Sequence, residues 1–324
     1  MAIMASCISG LMFQGRSNAD HLVILTHGIM GTGEDLGYLA KILEKNGCTV
    51  LKSVSNENFK SLGGVKTGGE ALASEITKRI AENSQLKRLS IVGNSLGGLY
   101  ARYAIKILFD GTENTIAGLQ PYRFMSIATP HLGVRNWTFV DDYGYTAPDF
   151  IKRVVSRVML STGRDIFSIQ DAEAAEESLL FRMATEDSFL SPLRSFTDRR
   201  LYANLNRDFV VPLGTAAFMA NDLVKELRKE YQGETGIVSV LKIPPNSSKN
   251  NRKYGGSNTQ TDHMIGSLND LGWDKVIVNF SGLLPIAHNK ICALTREPKW
   301  LYDDILGFNV GQFVMQNASD WLSE

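Results

Sequence analysis

Short apolar runs alternate along this chain with longer segments in which apolar residues recur every three or four positions. Short runs of this kind are typical of buried strands, and the longer spacing is typical of amphipathic helices. Seven strands are predicted in this way, at residues 21–26, 48–51, 89–93, 123–128, 200–205, 237–243 and 275–280. Strands that alternate with helices predict an α/β fold, in which helices cover both faces of a mostly parallel sheet.

Helical spacing is found at residues 36–46, 70–82, 99–105 and 215–231. Two further helical stretches, 150–160 and 172–185, fall between the fourth and fifth predicted strands. The segment 137–197 that contains them is too long for a simple connection, so we predict a helical cap or lid inserted over the sheet. A structural excursion without a lid function is the alternative.

Residues 244–261 are rich in Pro, Asn, Ser, Lys and Gly and poor in apolar side chains, which predicts an inserted polar loop. A chain of 324 residues can form one large α/β domain with insertions or two domains of ordinary size. We predict a single domain over residues 1–324, with the cap and the polar loop as its insertions.

The charges balance, with 34 basic and 34 acidic residues, so electrostatics give no reason to expect a nucleic-acid partner. The three cysteines are widely spaced and form no CxxC pair, which argues against a disulfide framework and a zinc site and favours a reducing compartment. Residues 1–13 have no basic start and do not read as a secretory signal, and no apolar run is long enough to span a bilayer. We therefore expect a cytoplasmic protein.

Gly93, Ser95 and Gly97 form the pattern Gly-x-Ser-x-Gly between the apolar run 89–92 and the helical run 99–105. The pattern alone is weak, but a strand–turn–helix context is what a nucleophile elbow requires. Side chains at 93 and 97 would collide with the neighbouring strand and helix, because the turn pushes the serine hydroxyl out of the end of the sheet. The context predicts Ser95 as a nucleophile.

A serine nucleophile needs a base to remove its proton, and in α/β hydrolases the order along the chain is serine, acid, histidine. Of the five histidines, His21, His27 and His131 come too early for that order. His288 follows the last predicted strand, where the base of this fold belongs, whereas His263 lies beside the polar loop. We therefore favour His288 over His263 as the base.

Asp208 stands just beyond the predicted strand 200–205 and is our candidate for the acid that orients the base. A loop aspartate that only caps the following turn is the alternative. Asp222 falls inside a helical run and Asp198 precedes the strand, so both rank lower.

An oxyanion hole needs two backbone N–H donors, one from the residue after the nucleophile and one from a loop after an early strand. The first is Leu96, and the loop 27–31 offers Ile29 as the second, with Met30 as the fallback. His27 fits better as a residue that shapes this loop through its own hydrogen bonds than as a base.

Two glycine-rich segments lack the order that binds phosphates. Residues 63–69 contain Lys-Thr without a P-loop spacing, and residues 31–33 lack the third glycine of a dinucleotide fingerprint. No cluster of His, Cys and carboxylates has metal-ligand spacing. We expect neither an organic cofactor nor a metal.

The loop 27–31 (His-Gly-Ile-Met-Gly), the elbow 93–98 (Gly-Asn-Ser-Leu-Gly-Gly) and residues 126–133 (Ser-Ile-Ala-Thr-Pro-His-Leu-Gly) resemble, in that order, the DUF676 family of serine esterases and lipases. The resemblance spans about residues 20–210 and returns weakly around His288. One departure is Asn94, where many relatives carry histidine, and this should alter the packing of the elbow rather than remove the nucleophile.

The resemblance matches Ser95, the start of the loop at His27 and the segment 129–131 most closely, and Asp208 and His288 less so. It implies an α/β-hydrolase fold and an intracellular hydrolase of acyl esters of glycerolipids, with relatives among yeast lipid-droplet phospholipases and monoacylglycerol lipases. Such a substrate would bring the protein into peripheral contact with a membrane or lipid-droplet surface, and the oligomeric state is left open. An acyltransferase, a thioesterase or a catalytically silent binding protein of the same fold are the alternatives.

Overall fold

The central element is a seven-stranded sheet. The computed structural model describes residues 18–134, 157–167, 178–247, 259–281, 286–294 and 309–324. The strands in these ranges are β1 (His21–Thr26), β2 (Thr49–Lys52), β3 (Arg88–Asn94), β4 (Phe109–Asp110), β5 (Thr115–Ile116), β6 (Gln120–Ile127), β7 (Asp198–Asn204), β8 (Gly236–Ile243) and β9 (Trp273–Asn279). The large sheet has the order β2-β1-β3-β6-β7-β9-β8, while β4 and β5 form a separate hairpin.

Neighbouring strands of the large sheet run parallel, except that β8 pairs antiparallel with β9 at one edge. The predicted α/β class with a mostly parallel sheet is confirmed. The chain moves outward from β1 in one direction and then from β3 in the other, so the strand order reverses beside β1 and β3. In open α/β sheets ligands bind beyond the carboxyl ends of the strands at such a reversal.

Helices cover both faces of the sheet. They are α1 (Gly37–Lys45), α2 (Val65–Ala81), α3 (Leu96–Leu108), α4 (Leu160–Phe167), α5 (Leu179–Thr185), α6 (Asp187–Arg194), α7 (Leu213–Ala216), α8 (Asn221–Glu230), α9 (Gln260–Asn269), α10 (Ala287–Lys290) and α11 (Val310–Ser323). Side chains on β1 alternate between two cores, because successive strand residues point to opposite faces. Leu22 and Ile24 pack with α2 and α3, while Val23 and Leu25 pack with α1 and α11.

Helix α2 begins five residues before the predicted start at residue 70, and it includes Gly68 and Gly69. A Cβ on Gly68 would lie 2.2 Å from the ring of Tyr100, and one on Gly69 would lie 2.5 Å from Tyr103. These glycines therefore let α2 approach α3 closely, although glycine is more typical of a loop.

The prediction of a single helix over residues 215–231 is wrong, because the helical structure is interrupted between α7 and α8. Phe218 lies at the break with a φ of 37°. The carbonyl of Ala217 accepts a hydrogen bond of 2.7 Å from Lys275 Nζ, a group that arrives from β9. A contact so distant in sequence leaves no trace in the local helical spacing, which explains the error.

The predicted cap segment contains α4, α5 and α6, while residues 135–156 and 168–177 lie outside the described residues. The predicted helices 150–160 and 172–185 are therefore described only in their second parts. Residues 248–258 of the predicted polar loop and residues 1–17 also lie outside the described residues. Within the described ranges, no helix has both the length and the apolar character needed to cross a membrane.

Candidate active site

Ser95 occupies a sharp turn between β3 and α3. Its backbone has a φ of 54°, in the left-handed region that non-glycine residues rarely adopt, and its amide donates to the carbonyl of Ile127 at 2.8 Å. A Cβ at position 93 would lie 2.3 Å from Gly98 Cα, and one at position 97 would lie 2.4 Å from the carbonyl oxygen of Thr26. Backbone atoms therefore exclude side chains at 93 and 97, and the strained serine is held by its surroundings.

Three side chains that lie far apart in sequence form one hydrogen-bonded chain. Ser95 Oγ lies 2.9 Å from His288 Nε2, and His288 Nδ1 lies 2.9 Å from Asp208 Oδ2. All three residues are buried, with exposed fractions of 4%, 9% and 2% for Ser95, His288 and Asp208. Because a carboxylate can only accept, Nδ1 of the neutral imidazole carries the proton and Nε2 faces the serine with its lone pair.

The carboxylate of Asp208 accepts three further hydrogen bonds. The backbone amides of Val210 and Val211 donate to Oδ1 at 3.0 and 2.8 Å, and Asn204 Nδ2 donates to Oδ2 at 2.7 Å. Asn204 was missed in the sequence, although a polar residue at the carboxyl end of a strand, four positions before the candidate acid, was a signal that could have identified it. These donors hold the buried carboxylate in one orientation towards the imidazole.

The loops that carry Asp208 and His288 are joined directly. Asp208 forms an isolated bridge with Ile286, and the amide of Ala287 donates to the carbonyl of Arg207 at 3.2 Å. The first residues of α10 are therefore attached to the loop after β7, so the two side chains keep a fixed separation.

The glycine-bearing loop after β1 passes directly over Ser95. A Cβ on Gly28 would lie 2.8 Å from Ser95 Cβ. The carbonyl of Gly28 accepts from Gly31 N at 3.1 Å and lies 2.9 Å from His27 Nδ1. Since the carbonyl and amide of a trans peptide point in opposite directions, the Ile29 amide is turned away from those two partners.

Of the two candidate loop donors, Met30 already uses its amide, which donates to Ser61 Oγ at 2.8 Å. Ile29 is therefore the better candidate, in agreement with the order given by the sequence. Leu96 is the first residue of α3, and an amide at that position has no carbonyl in its own helix to donate to.

The other histidines are engaged elsewhere. His21 is bonded to Ser90, and burial lowers its pKa to about 4. His131 is enclosed between Arg102 and Ser126, and burial holds its pKa well below the ordinary value. His263 lies on α9 with its ring 5.8 Å from that of Phe181.

The lower-ranked aspartates also lie away from the chain of three side chains. Asp198 is at the amino end of β7 and Asp222 is in the first turn of α8, where it pairs with Lys225. The departure at Asn94 is accommodated by Cys292, whose sulfur accepts from Asn94 Nδ2 at 3.9 Å. In the ranges that the structure describes, no group of three or more His, Cys, Asp and Glu could hold a metal ion.

Residues 16–222 match the model of the family described as "Putative serine esterase (DUF676)". The chain belongs to this family. Among its relatives, "Putative lipase YDL109C" of Saccharomyces cerevisiae is 29% identical over 66% of this chain and 32% of its own length. "Putative lipase C4A8.10" of Schizosaccharomyces pombe is 26% identical over 85% of this chain and 36% of its own length. The chain thus spans about a third of the length of the curated relatives it matches.

Solved structures with a similar fold include the lin2722 gene product of Listeria innocua, which is 11% identical with a TM-score of 0.41 over 89% of this chain and 95% of that one. The mature lipase BlEst2 of Bacillus licheniformis is 14% identical with a TM-score of 0.35, over 58% and 67% of the two chains. The assignment of this DUF676 chain to the α/β-hydrolase fold rests on its sheet topology and on its family.

Proposed function

We propose that the protein is a serine carboxylic-ester hydrolase in which Ser95 is the nucleophile, His288 the general base and Asp208 the residue that orients the base. Membership of a serine esterase family supports esterase or lipase activity. The observation that carries the assignment of roles is the chain of hydrogen bonds, each 2.9 Å long, from Ser95 Oγ through the imidazole to the carboxylate.

In the proposed reaction, His288 Nε2 takes the proton of Ser95 Oγ as the oxygen attacks the ester carbonyl carbon. The amides of Leu96 and Ile29 then donate to the oxyanion of the tetrahedral intermediate. The imidazolium gives its proton to the leaving alcohol, and an acyl group stays on Ser95. Water, deprotonated by the same imidazole, then attacks the acyl carbonyl, and the imidazolium returns the proton to Ser95 Oγ as the bond to the acid breaks. Asp208 stabilises the imidazolium in both steps.

For the substrate we propose an acyl ester of a glycerolipid, which the names of the yeast relatives support. Exposed apolar side chains next to the site, Met30 on the glycine-bearing loop and Phe209 after Asp208, fit an acyl chain. We also propose that segment 137–197 is a cap inserted into a single domain. Contact with a lipid surface follows from such a substrate, whereas transfer of the acyl group to another alcohol would use the same residues.

The direct test is hydrolysis of a short-chain p-nitrophenyl ester by the protein and by its Ser95→Ala variant. The variant should lose turnover to the level of the buffer, while Ser90→Ala should keep it, because Ser90 is an equally buried serine in the middle of β3. Wild-type turnover in Ser95→Ala would overturn the proposal.

A catalytically silent member of the same fold would hold a serine that is not activated. A fluorophosphonate probe separates this alternative, because it labels only a serine whose proton can be removed. Labelling of the wild type but not of Ser95→Ala supports the enzyme, whereas absence of labelling in the folded wild type supports the binding protein. Incubation of both forms with a mixed lipid extract, followed by mass spectrometry of the lipids consumed, then identifies the substrate class.

A further inference from the structure

The glycine-bearing loop, which carries the candidate oxyanion donor Ile29, is hydrogen-bonded to the side chain of Ser61, a residue outside any sequence motif. Ser61 Oγ accepts from the Met30 amide at 2.8 Å and donates to the carbonyl of Asn58 at 2.6 Å. A second bond joins the same two segments, because the amide of Asn58 donates to the carbonyl of Gly31 at 3.0 Å. The glycine-bearing loop is therefore attached at two points to the short 3-10 helix Asn58–Leu62.

The hydrogen bond at Met30 holds a strained backbone conformation. Met30 has a φ of 52°, a left-handed conformation that is costly for a residue with a Cβ. Such a conformation persists only where the surroundings fix it. Without an acceptor at Ser61, the peptide between Ile29 and Met30 can relax, and this shifts Ile29 Cα and with it the adjoining Gly28–Ile29 peptide that carries the Ile29 amide.

Ser61 is connected in turn to helix α4. Its carbonyl accepts from Thr162 Oγ1 at 2.7 Å and from the hydroxyl of Tyr100 at 2.7 Å. Thr162 Oγ1 also accepts from the Gly64 amide at 3.0 Å. Both Ser61 and Thr162 are fully buried, so water offers no substitute partner for either.

Helix α4 is further fixed by Asp165, whose Oδ2 accepts from the Val65 amide at the start of α2 at 2.7 Å. Helix α4 is thus held in place by polar contacts. It contacts the 3-10 helix at Ser61, the residue whose Oγ accepts from the Met30 amide. A displacement of α4 therefore has a direct path of two hydrogen bonds, Thr162 to Ser61 and Met30 to Ser61, to the loop of the candidate oxyanion hole.

We propose that Ser61 is a positioning residue for the oxyanion hole and that Thr162 couples the position of helix α4 to it. The proposal rests on the proposed hydrolase function and adds that α4, which lies within the predicted cap segment, sets the rate of the chemical step through Ser61. Both side chains are fully buried and out of reach of a substrate, so we expect both to act on kcat rather than on substrate binding.

The test compares Ser61→Ala and Thr162→Val with the wild type on a short-chain p-nitrophenyl ester. Loss of a whole oxyanion donor costs roughly 100–1000-fold in kcat, so its displacement in Ser61→Ala should lower kcat about tenfold, with KM changed less than about twofold. Thr162→Val should lower kcat by about threefold. The double variant should be no slower than Ser61→Ala alone, since both changes act on one path.

A second readout separates positioning from a general loss of stability. A trifluoromethyl ketone forms a tetrahedral adduct on the serine, so its inhibition constant should rise across the variants in proportion to the fall in kcat/KM. Ser90→Ala and Thr77→Val are the matched controls, since they remove a hydroxyl from β3 and from α2 without touching this path. Both should leave the two constants unchanged.

Wild-type kcat in folded Ser61→Ala overturns the positioning role, and wild-type kcat in folded Thr162→Val overturns the coupling to α4. Additive losses in the double variant also overturn the coupling. These outcomes are distinct from failure of the proposed function, which would appear as retained turnover in Ser95→Ala.

Discussion

The close approach of Gly28 to Ser95 offers a sharp test of how the glycine-bearing loop is placed over the elbow. In Gly28→Ala, the added Cβ would lie 2.8 Å from Ser95 Cβ and 3.2 Å from its Oγ. Carbon atoms in contact keep about 3.5–4.0 Å apart, so the loop and the elbow must separate by about 0.7 Å or more. Ser95 cannot turn aside, because the elbow holds it at a φ of 54°.

A displacement near 1 Å at a reacting centre costs about 100-fold in rate. We therefore expect Gly28→Ala to lower kcat by roughly 30–100-fold, with a loss of stability of about 1–3 kcal/mol from overpacking. The assays are steady-state hydrolysis of a p-nitrophenyl ester and thermal unfolding. Gly111→Ala is the matched control, because its Cβ would meet only Phe109 at an ordinary 3.5 Å. Wild-type kcat in a folded Gly28→Ala protein would refute this placement of the loop.

Three further variants test other parts of the structure. Gly97→Ala should fail to give a stable fold, because its Cβ would lie 2.4 Å from the backbone oxygen of Thr26, and circular dichroism checks this; a normal melting curve would contradict the elbow geometry. Asp208→Asn should lower kcat by roughly 10⁴-fold, since an NH₂ group would face either backbone amides or the imidazole, and a loss below tenfold would contradict the role of the acid. Burial lowers the pKa of His21 from 6.5 to about 4, so the folded state favours the neutral ring. The free energy of unfolding that depends on this neutral ring, about 3 kcal/mol, is present above pH 6.5 and is lost as the pH falls towards 4. In His21→Phe the melting temperature should therefore fall less between pH 7 and pH 4.5 than in the wild type, and an equal fall would contradict this assignment.

Much of the fold could be predicted because both faces of the parallel sheet are buried, which makes its strands continuous apolar runs. The elbow was recognisable since steric needs at positions 93 and 97 act on adjacent residues. The break at Phe218 was not, because a buried lysine on a distant strand stabilises it. The start of α2 was missed for a similar reason, since glycine normally indicates a loop and here permits contact with α3.

The order of Ser95, Asp208 and His288 along the chain led to the three side chains that the structure brings together. Of the residues that hold the site in place, Asn204 had a signal at the end of its strand, whereas Ser61 had none. Ser61 lies in a segment with no motif, and its role depends on contacts with Met30 and Thr162 that only the folded chain creates. Sequence reasoning identifies groups that chemistry requires by type, whereas positioning groups depend on which loops become neighbours.

The central claim is that Ser95 forms an acyl-enzyme, and rapid mixing with p-nitrophenyl acetate tests it most directly. We predict a burst of about one equivalent of p-nitrophenolate per active site, with an acetyl group found on Ser95 by peptide mapping of the quenched protein. The burst should vanish in Ser95→Ala and in His288→Ala. An undiminished burst in Ser95→Ala, or acetyl groups only on other residues, would contradict the account.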